Sequence, residues 1–305
     1  MWVAILKGLS RVFGALPLRA ALAVGRGLGW VYGSVLRYHR RDAVAALARS
    51  LPEKTPRERR AILDRMYRNL GMNLVEEFRL GRVGEDYLTD FVSWEGEEHA
   101  HEVFAAKKGL LVLSAHLGNW DLLCTIAPHF HYPTTVITKN LRNSALNAYW
   151  METRARFGLK FVPAHNSYRQ CLSALRRNEI VAFILDQNMI HTEGIFVDFF
   201  GKPACTSPGL AYMSAQSGAA VVPAFMIRLA NGRHLVKALP PIPPPPDRTP
   251  ETIRAYTQLY TQAIENMIRA YPDQWIWIHR RWRTVPPAPG HDGSLGECPA
   301  SQQSA

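Results

Sequence analysis

The sequence predicts an α/β protein: a central, mostly parallel sheet flanked by helices, preceded by a helical segment that associates with a membrane. Three observations lead to this fold class. The chain has 305 residues and is 47% hydrophobic, which suits one large domain, alone or with appendages. From about residue 90, short apolar runs alternate with helical stretches, as in strands joined by crossover helices. The first 45 residues are both basic and apolar.

Residues 1–45 are predicted to form a helical segment that anchors the chain to a membrane. Residues 1–50 contain eight Lys and Arg residues against one acidic residue, and large apolar side chains such as Trp2, Phe13 and Trp30 lie among them. This mixture is typical of a helix at a membrane surface. The alternative is a helical hairpin packed on the rest of the chain. Residues 20–36 come close to a spanning length, but no uninterrupted run of about 18–20 apolar residues is present.

The net charge of +11 and the isoelectric point near 9.7 indicate an acidic partner, which is a nucleic acid, an anionic lipid or an acidic protein. No nucleic-acid-binding motif accompanies the charge, so a nucleic-acid partner is not expected. The four cysteines are widely spaced and form no zinc pattern. They predict reduced thiols and no metal site.

Local signals place the elements in order. A capping box at 55–58, with proline at the first helical position, begins a helix that is predicted to end near residue 80. Further helices are predicted at 96–106, 119–127, 143–157, 168–177, 207–217 and 250–271. Strands are predicted at 109–115, 134–138, 160–162, 180–185, 219–229 and 235–239. The main domain therefore covers residues 46–285, and the Pro-, Gly-, Ser- and Gln-rich residues 286–305 are predicted to be a disordered tail.

His116 and Asp121 flank the corner at which the first of these strands passes into a helix. Gly118 allows a sharp turn there, and Asn119 can cap the helix. If the corner is exposed at the end of the sheet, Asp121 is expected to orient the imidazole of His116, which takes a proton. The alternative is a core histidine and an aspartate that only favours the helix dipole. Because sites in α/β proteins gather where strands end, the position favours a functional site, and our hypothesis is that it is an acyl-transfer site.

Cationic and acidic residues follow two further strands. Lys139 and Arg142 come after the strand at 134–138, where a cation can stabilise an oxyanion or bind a phosphate. A solvated loop charge explains Lys139 equally well. Asp186 ends the strand at 180–185, where it lines the site or caps the following loop.

Residues 198–209 combine an aromatic pair, a turn and a helix start. Lys202 and the helix N-terminus near Thr206 are candidates to bind a phosphate or phosphopantetheine group. An ordinary helix cap is the simpler explanation of Thr206. Residues 275–283, rich in Trp and Arg, indicate an interfacial contact, a terminal element locked onto the core, or a mixture of both, which we favour.

Three separated motifs resemble the bacterial lipid A biosynthesis acyltransferases, the late lauroyl- and myristoyl-type enzymes. The motifs are His-Leu-Gly-Asn-Trp-Asp at 116–121, Asp-Phe-Phe-Gly-Lys-Pro-Ala-Cys-Thr at 198–206 and Gln-Trp-Ile-Trp-Ile-His-Arg-Arg-Trp at 274–282. Arg40-Arg41 and residues 67–71 are also similar to that family. The resemblance covers roughly residues 1–285.

The resemblance implies a fold like that of the glycerolipid acyltransferases and a location on the cytoplasmic face of the inner membrane. It implies an acyl-carrier-protein donor, with acyl-CoA as second choice, a glycolipid acceptor such as a lipid A precursor, and no cofactor. The family's H-x4-[D/E] pair corresponds to His116 and Asp121, with His116 as general base. Lys139 matches a basic residue that is arginine in many members, and Asp186 matches an aspartate after a later strand. Asn119, Arg142, Lys202 and Thr206 complete the predicted substrate-binding set.

In the implied reaction, His116 deprotonates the acceptor hydroxyl as it attacks the donor thioester. Lys139 and backbone N–H groups near Gly118 are candidates to stabilise the oxyanion. Two alternatives stay open. In the first alternative, the acceptor is another glycolipid or a phospholipid, because relatives that share Leu-Gly-Asn-Trp acylate other glycolipids, including phosphatidylinositol mannosides. In the second, the chain is a non-catalytic lipid-binding protein at a membrane surface.

Overall fold

The computed structural model describes residues 2–129, 132–138, 143–163 and 167–287. The helices in these ranges are α1 (Trp2–Ala15), α2 (Leu18–Trp30), α3 (Arg40–Ser50), α4 (Pro56–Arg79), α5 (Glu85–Phe91), α6 (Glu97–Ala105), α7 (Trp120–His129), α8 (Ser144–Ala155), α9 (Tyr168–Arg176), α10 (Gly209–Ser217) and α11 (Pro250–Ala270). The strands are β1 (Val92–Glu95), β2 (Leu110–Ser114), β3 (Thr134–Thr138), β4 (Lys160–Pro163), β5 (Ile180–Ile184), β6 (Ile195–Asp198), β7 (Pro203–Thr206), β8 (Val221–Arg228) and β9 (His234–Ala238). A π-helical turn, Val31–Val35, continues α2, and a 3-10 turn, Leu80–Arg82, follows α4.

Seven strands form the central sheet, in the order β1-β9-β8-β2-β5-β3-β4. All neighbours are parallel except β8 and β9, so the predicted mostly parallel α/β fold is confirmed. β2 lies between β8 and β5, and its leucines Leu110, Leu111 and Leu113 are buried. The carboxyl ends of β2, β3, β5 and β8 therefore meet at one edge of the sheet.

Most of the predicted boundaries agree with the structure to within two residues. The capping box that begins α4 is present: Glu58 N donates to Thr55 Oγ1 at 3.3 Å, and Thr55 N donates to Glu58 Oε2 at 2.7 Å. Three features are absent from the sequence prediction. The first is the short helix α5, Glu85–Phe91. β1 is a short edge strand, and β6 and β7 form an antiparallel pair where the sequence indicated only a loop. Strands of four residues give only a weak hydrophobic period, and of the four strands of this length in the described residues only β4 is predicted.

The N-terminal helices lie on α4. α2 crosses α4 in backbone contact, because a Cβ atom on Gly29 would lie 2.1 Å from Tyr67 O and one on Gly71 would lie 2.2 Å from Gly25 O. α1 buries no residue completely and exposes Trp2, Ile5, Leu9 and Val12. None of the described helices is both long and apolar enough to cross a membrane. Association of this segment with a membrane surface stays a prediction, and residues 288–305 of the predicted tail lie outside the described residues.

Candidate functional site

The strand-to-helix corner at 116–119 is held by backbone bonds to two other segments. Gly118 has a φ of +64°, and a Cβ there would lie 1.6 Å from Met226 O. Gly118 N donates to Gln274 O at 2.9 Å, and Asn119 N donates to Met226 O at 3.1 Å. Ile276 N donates to His116 O at 3.2 Å. The position of His116 is therefore fixed by β8 and by the chain that follows α11.

Asp186 binds the imidazole of His116. Its Oδ1 accepts a hydrogen bond from His116 Nδ1 at 2.8 Å, and its Oδ2 accepts from His116 N at 2.9 Å. Trp275 Nε1 also donates to Oδ2, at 2.7 Å. Because a carboxylate only accepts, this arrangement places the proton of the neutral imidazole on Nδ1 and leaves Nε2 as the basic nitrogen.

The two side chains stabilise each other's charged forms. Burial disfavours the imidazolium, but the charge and hydrogen bond of Asp186, with a smaller contribution from Asp121, outweigh it and raise the pKa of His116. Burial likewise disfavours the carboxylate, but His116, together with the Trp275 N–H and the His116 backbone N–H, lowers the pKa of Asp186 to about 2. The pair can therefore hold a proton at His116 next to a fixed negative charge.

The structure corrects the expected contact between Asp121 and His116. Asp121 does not hydrogen-bond the imidazole in the described part of the chain; its carboxylate accepts from Arg154 instead. Arg154 also lies 3.6 Å from the buried carboxyl of Glu77. Burial and the charge of Asp121 raise the pKa of Glu77 to about 8, although Arg154 opposes the shift. Gly118 turns the chain away from His116 before α7 begins, so Asp121 faces α4 and α8.

Asn119 is a structural residue, and its predicted contact with substrate is not supported. It is 3% exposed, and both polar groups of its side chain are used. Oδ1 accepts from Leu122 N at 3.0 Å, which confirms the predicted helix cap, and Nδ2 donates to Glu76 Oε2 at 2.7 Å. Glu76 also accepts from Arg228 Nη1 at 2.7 Å and pairs with His234 Nε2 at 3.0 Å. This buried polar network joins the corner to α4, β8 and β9.

The backbone N–H groups near Gly118, proposed as oxyanion donors, already have acceptors, as described above. A different donor lies at the site. Gln187 Nε2 is 3.3 Å from His116 Nε2, so the side-chain amide of Gln187 occupies the position next to the basic nitrogen. The ring of Trp120 also contacts the imidazole, edge to face, with its centroid 5.1 Å from that of His116.

The remaining predicted binding residues are not brought to His116. Lys139 and Arg142 lie outside the described residues. Lys202 is exposed in the turn between β6 and β7, and no contact joins it to His116 in the described ranges. Thr206 is fully buried, and its hydroxyl accepts from Arg281 Nη2 at 2.5 Å. It does not cap α10. Because the Thr206 side chain is buried and bonded to Arg281, the expected phosphate contact at Thr206 is wrong.

The segment at 275–283 locks onto the core. Trp275, Trp277 and Arg281 are at most 1% exposed, and Arg281 Nη1 donates to Cys205 O at 2.7 Å. The interfacial interpretation is therefore wrong for these three residues. Trp275 has a functional position that the sequence did not reveal, because its N–H holds Asp186. Its signal, a Trp-rich segment, was visible, but its partner lies 89 residues away.

An apolar cavity lies between one face of the sheet and helices α6 and α7. It is lined by even-numbered residues, which point to one face of their strands: Leu110, Val112 and Ser114 of β2, and Ile180, Ala182 and Ile184 of β5. It contains about 1000 Å³ of space free of protein atoms, including the part open to solvent. Trp120 and Ser114 line the end next to His116, and Tyr132 lines the other end. The strand rise gives about 13 Å from Ser114 to Leu110.

Fold and site together define an α/β protein with a hydrogen-bonded histidine–carboxylate pair beside an apolar cavity. In the described residues, no group of three His, Cys, Asp or Glu side chains is arranged to hold a metal ion. The sequence model of the bacterial lipid A biosynthesis acyltransferases matches residues 1–284. The chain belongs to this family, which confirms the resemblance of its three motifs.

Characterised relatives cover most of the chain. A lipid A biosynthesis acyltransferase of Haemophilus influenzae is 26% identical over 287 residues, which are 93% of this chain and 87% of the relative. The lipid A biosynthesis lauroyltransferase of Escherichia coli is 27% identical over 277 residues, 89% of this chain and 88% of the relative. A phosphatidylinositol mannoside acyltransferase of Mycobacterium tuberculosis is 26% identical over 191 residues, 61% of this chain and 58% of the relative.

Proposed function

We propose that this protein transfers a fatty acyl chain from an acyl thioester on acyl carrier protein to a hydroxyl of a glycolipid such as a lipid A precursor. The observation that carries the proposal is the apolar cavity, whose end lined by Ser114 and Trp120 adjoins His116. The names of the relatives support a lipid A precursor as acceptor. One relative acylates a phosphatidylinositol mannoside, and this favours another glycolipid as the second candidate acceptor.

The cavity suits the acyl chain of the donor. Its lining from β2 and β5 is apolar except at Ser114, next to His116. An acyl chain that lies along this face buries its methylene groups and leaves its thioester carbonyl at the end lined by Ser114 and Trp120. Burial of each methylene contributes about 0.8 kcal/mol. The donor is therefore bound with its reactive carbonyl beside the base.

His116 acts as general base through Nε2. The acceptor oxygen attacks the thioester carbonyl while its proton passes to Nε2, and Asp186 stabilises the imidazolium. When the tetrahedral intermediate collapses, the new ester C–O bond remains, the C–S bond breaks, and the imidazolium returns the proton to the thiolate. No acyl-enzyme forms, and no cofactor takes part besides the acyl donor.

Two roles differ from those that the motif implies. Asp186, not Asp121, orients the imidazole, since it is the carboxylate bound to Nδ1. Asp121 contributes its charge from a distance and fixes the start of α7 through Arg154. Gln187 is a new candidate: its amide can leave Nε2 when the acceptor binds and donate to the developing oxyanion. Lys139 stays a candidate for the same role.

The protein is proposed to act at the cytoplasmic face of the inner membrane. The basic, apolar residues of α1 and α2 provide a surface for anionic lipid, and an acidic carrier protein complements the positive net charge. Release of the protein from membranes by a high-salt wash would show that charge dominates this attachment. Release only by detergent would show insertion of apolar side chains.

The direct test is transfer of radiolabelled acyl groups by the purified protein and its His116→Ala variant. We expect the variant to lose at least about 10²-fold in rate, the scale of a general base. His191→Ala is the matched control, because His191 is exposed in a loop. Full activity of a folded His116→Ala protein, or isolation of a stable acyl-enzyme, would contradict the mechanism.

A second measurement identifies the acceptor. Mass spectrometry of glycolipids from cells with and without the gene should show one acyl chain missing in the latter, which gives both acceptor and chain length. An unchanged glycolipid profile, together with lipid binding by the purified protein, would favour the non-catalytic alternative.

A further inference from the structure

A second cleft, separate from the apolar cavity, lies where α1 crosses the end of α4. It is lined by Ser10, Arg11 and Gly14 of α1 and by Phe78, Arg79 and Arg82 from α4 and the turn that follows. It contains about 660 Å³ of space free of protein atoms, including the part open to solvent. Its charged lining consists of three guanidinium groups and no carboxylate.

Arg79 forms the immobile floor of this cleft, which we call the arginine cleft after its three guanidinium groups. Its Nη1 donates to two carbonyl oxygens at the end of α1, those of Phe13 and of Leu16, the latter at 2.6 Å. Burial, the largest effect, and the nearby charge of Arg82 disfavour its cationic form and lower the pKa of Arg79, although Tyr87 and Glu76 oppose them. The guanidinium is therefore held in place by backbone groups. Among the described residues no carboxylate forms an ion pair with it, although the charge of Glu76 acts on it from a distance.

Arg11 and Arg82 are available to a ligand. Both are exposed, and neither has a hydrogen-bond or ion-pair partner among the described residues. The side chain of Arg82 lies against α1, with its Nε 3.6 Å from the position of a Cβ on Gly14. Gly14 thus leaves the space in which Arg82 reaches the cleft.

Three cations that line one cleft without an acid repel one another, and an anion that binds between them removes this repulsion. Arginine is the cation best suited to oxygen anions, because its planar fork binds two phosphate oxygens at once. We propose that the cleft formed by Arg11, Arg79 and Arg82 binds the phosphate group of a membrane lipid.

A phosphate on a small headgroup fits this cleft better than an acidic protein surface does, because the three guanidinium groups line a recess rather than a ridge. The exposed apolar side chains of α1, among them Trp2 and Val12, supply a neighbouring surface for lipid. The cleft also lies close to the site. Asn73 Nδ2 donates to Gly118 O at 2.5 Å, and Arg79 follows about 9 Å further along the axis of α4.

Binding at this cleft does not depend on acyl transfer, so a soluble probe can test it on the full chain. The probe is dihexanoyl phosphatidate, with dihexanoyl phosphatidylcholine for comparison, titrated by calorimetry. Arg11→Ala/Arg82→Ala should bind the phosphatidate at least about tenfold more weakly, since charge-assisted hydrogen bonds are lost. Arg57→Ala/Arg60→Ala is the matched control, which removes the same charge from exposed positions at the start of α4, away from the cleft and from α1 and α2. An equal loss in both variants would overturn the proposal, because it would show a general charge effect.

A second pair of variants keeps the net charge constant. Gly14→Leu fills the space that Arg82 occupies and should weaken binding, but less than the double arginine variant does, because Arg11 stays in place. Gly14→Ala places a Cβ 3.6 Å from Arg82 Nε, an ordinary contact, and should bind like the wild type. Circular dichroism shows whether each variant is folded. Wild-type binding by a folded Gly14→Leu variant would overturn the proposal.

Vesicles distinguish two sources of the phosphate. In one arm, phosphatidylcholine vesicles contain an anionic phospholipid; in the other, they contain a phosphorylated glycolipid acceptor. If co-sedimentation of the protein with either kind of vesicle depends on Arg11 and Arg82, the proposal is supported. The kind of vesicle that shows this dependence identifies the source of the phosphate. If co-sedimentation depends on these arginines with neither kind of vesicle, and the double arginine variant instead loses binding of acyl carrier protein, the proposal is overturned.

Discussion

His116 Nδ1 lies 2.8 Å from Asp186 Oδ1, although 70 residues separate them in the chain. The register of the sheet explains this distance. Ser114 of β2 is paired with Ile184 of β5, and the two strands are parallel. Two residues further along each strand direction, His116 and Asp186 therefore leave the sheet side by side. The catalytic pair that we propose is a consequence of strand pairing rather than of the H-x4-D spacing.

The two carboxylates near His116 can be separated by their effects on pH dependence. Unprotonated His116 is the active form, so activity should fall as the pH drops through the raised pKa of His116. Asp186→Asn removes the main charge that raises this pKa, so the acid limb should move to lower pH, and kcat should fall at least about 10²-fold. Asp121→Asn removes a smaller contribution and should move the limb less. The measurement is kcat/KM of acyl transfer from pH 5 to 9.

Asp186→Glu is a useful companion variant because it retains the charge but displaces the carboxylate. It should keep the acid limb nearer the wild-type position than Asp186→Asn does. A larger shift in Asp121→Asn than in Asp186→Asn would assign the orienting role to Asp121, as the motif alone implied.

The sequence predicted the corner at His116 but not its partner. A strand end, a glycine turn and a capping asparagine are local signals, so the helix start and the position of the histidine at the corner could be predicted from neighbouring residues. The pairing of β2 with β5 depends on packing across the whole sheet and leaves no local signal. Asp186 was therefore recognised as a residue at a strand end and not as the ligand of the imidazole.

The same limit explains the two polar residues that were wrongly expected to bind substrate. Asn119 and Thr206 lie in motifs that typically face a ligand, and their side chains are capable of it. Their partners, Glu76 and Arg281, lie 43 and 75 residues away and bury them. A buried polar residue and an exposed one look alike in sequence when the partner is distant.

Glu77 should make the free energy of unfolding depend on pH. Its pKa is about 8 in the folded chain and near 4.3 in an unfolded one, so the folded state holds the proton more tightly. Stability should therefore be lost progressively as the pH rises from about 4.5 through 8. Glu77→Gln has a neutral side chain at every pH, so its free energy of unfolding should fall less over this range. Urea unfolding at several pH values measures the difference between the two proteins, and a difference that does not grow with pH would contradict the assignment.

Glu76 should be essential for folding stability rather than for chemistry. Arg228 and His234 are buried against it, and its own pKa is lowered by them in spite of burial. Glu76→Gln leaves the Arg228 guanidinium without its counter-charge and should lower the free energy of unfolding by about 3–5 kcal/mol. The double variant Glu76→Gln/Arg228→Met removes the stranded charge and should recover part of this loss. Denaturant unfolding of the three proteins tests the network, and a loss below about 1 kcal/mol in Glu76→Gln would show that water, not Glu76, compensates Arg228.

Ala182 lies on the cavity face of β5, between Val112 of β2 and Val136 of β3, at the middle of the proposed acyl-chain site. Ala182→Leu fills part of the cavity and should shift the preferred donor to a shorter acyl chain. Since each methylene in an apolar pocket contributes roughly 10-fold or more to discrimination, the ratio of kcat/KM for short and long donors should rise at least about tenfold. Competition between acyl donors of graded length measures this ratio. Ala105→Leu makes the same change at an exposed position of α6 and should leave the ratio of kcat/KM values unaltered. If Ala182→Leu lowers kcat/KM equally for all acyl donors, the acyl chain lies elsewhere.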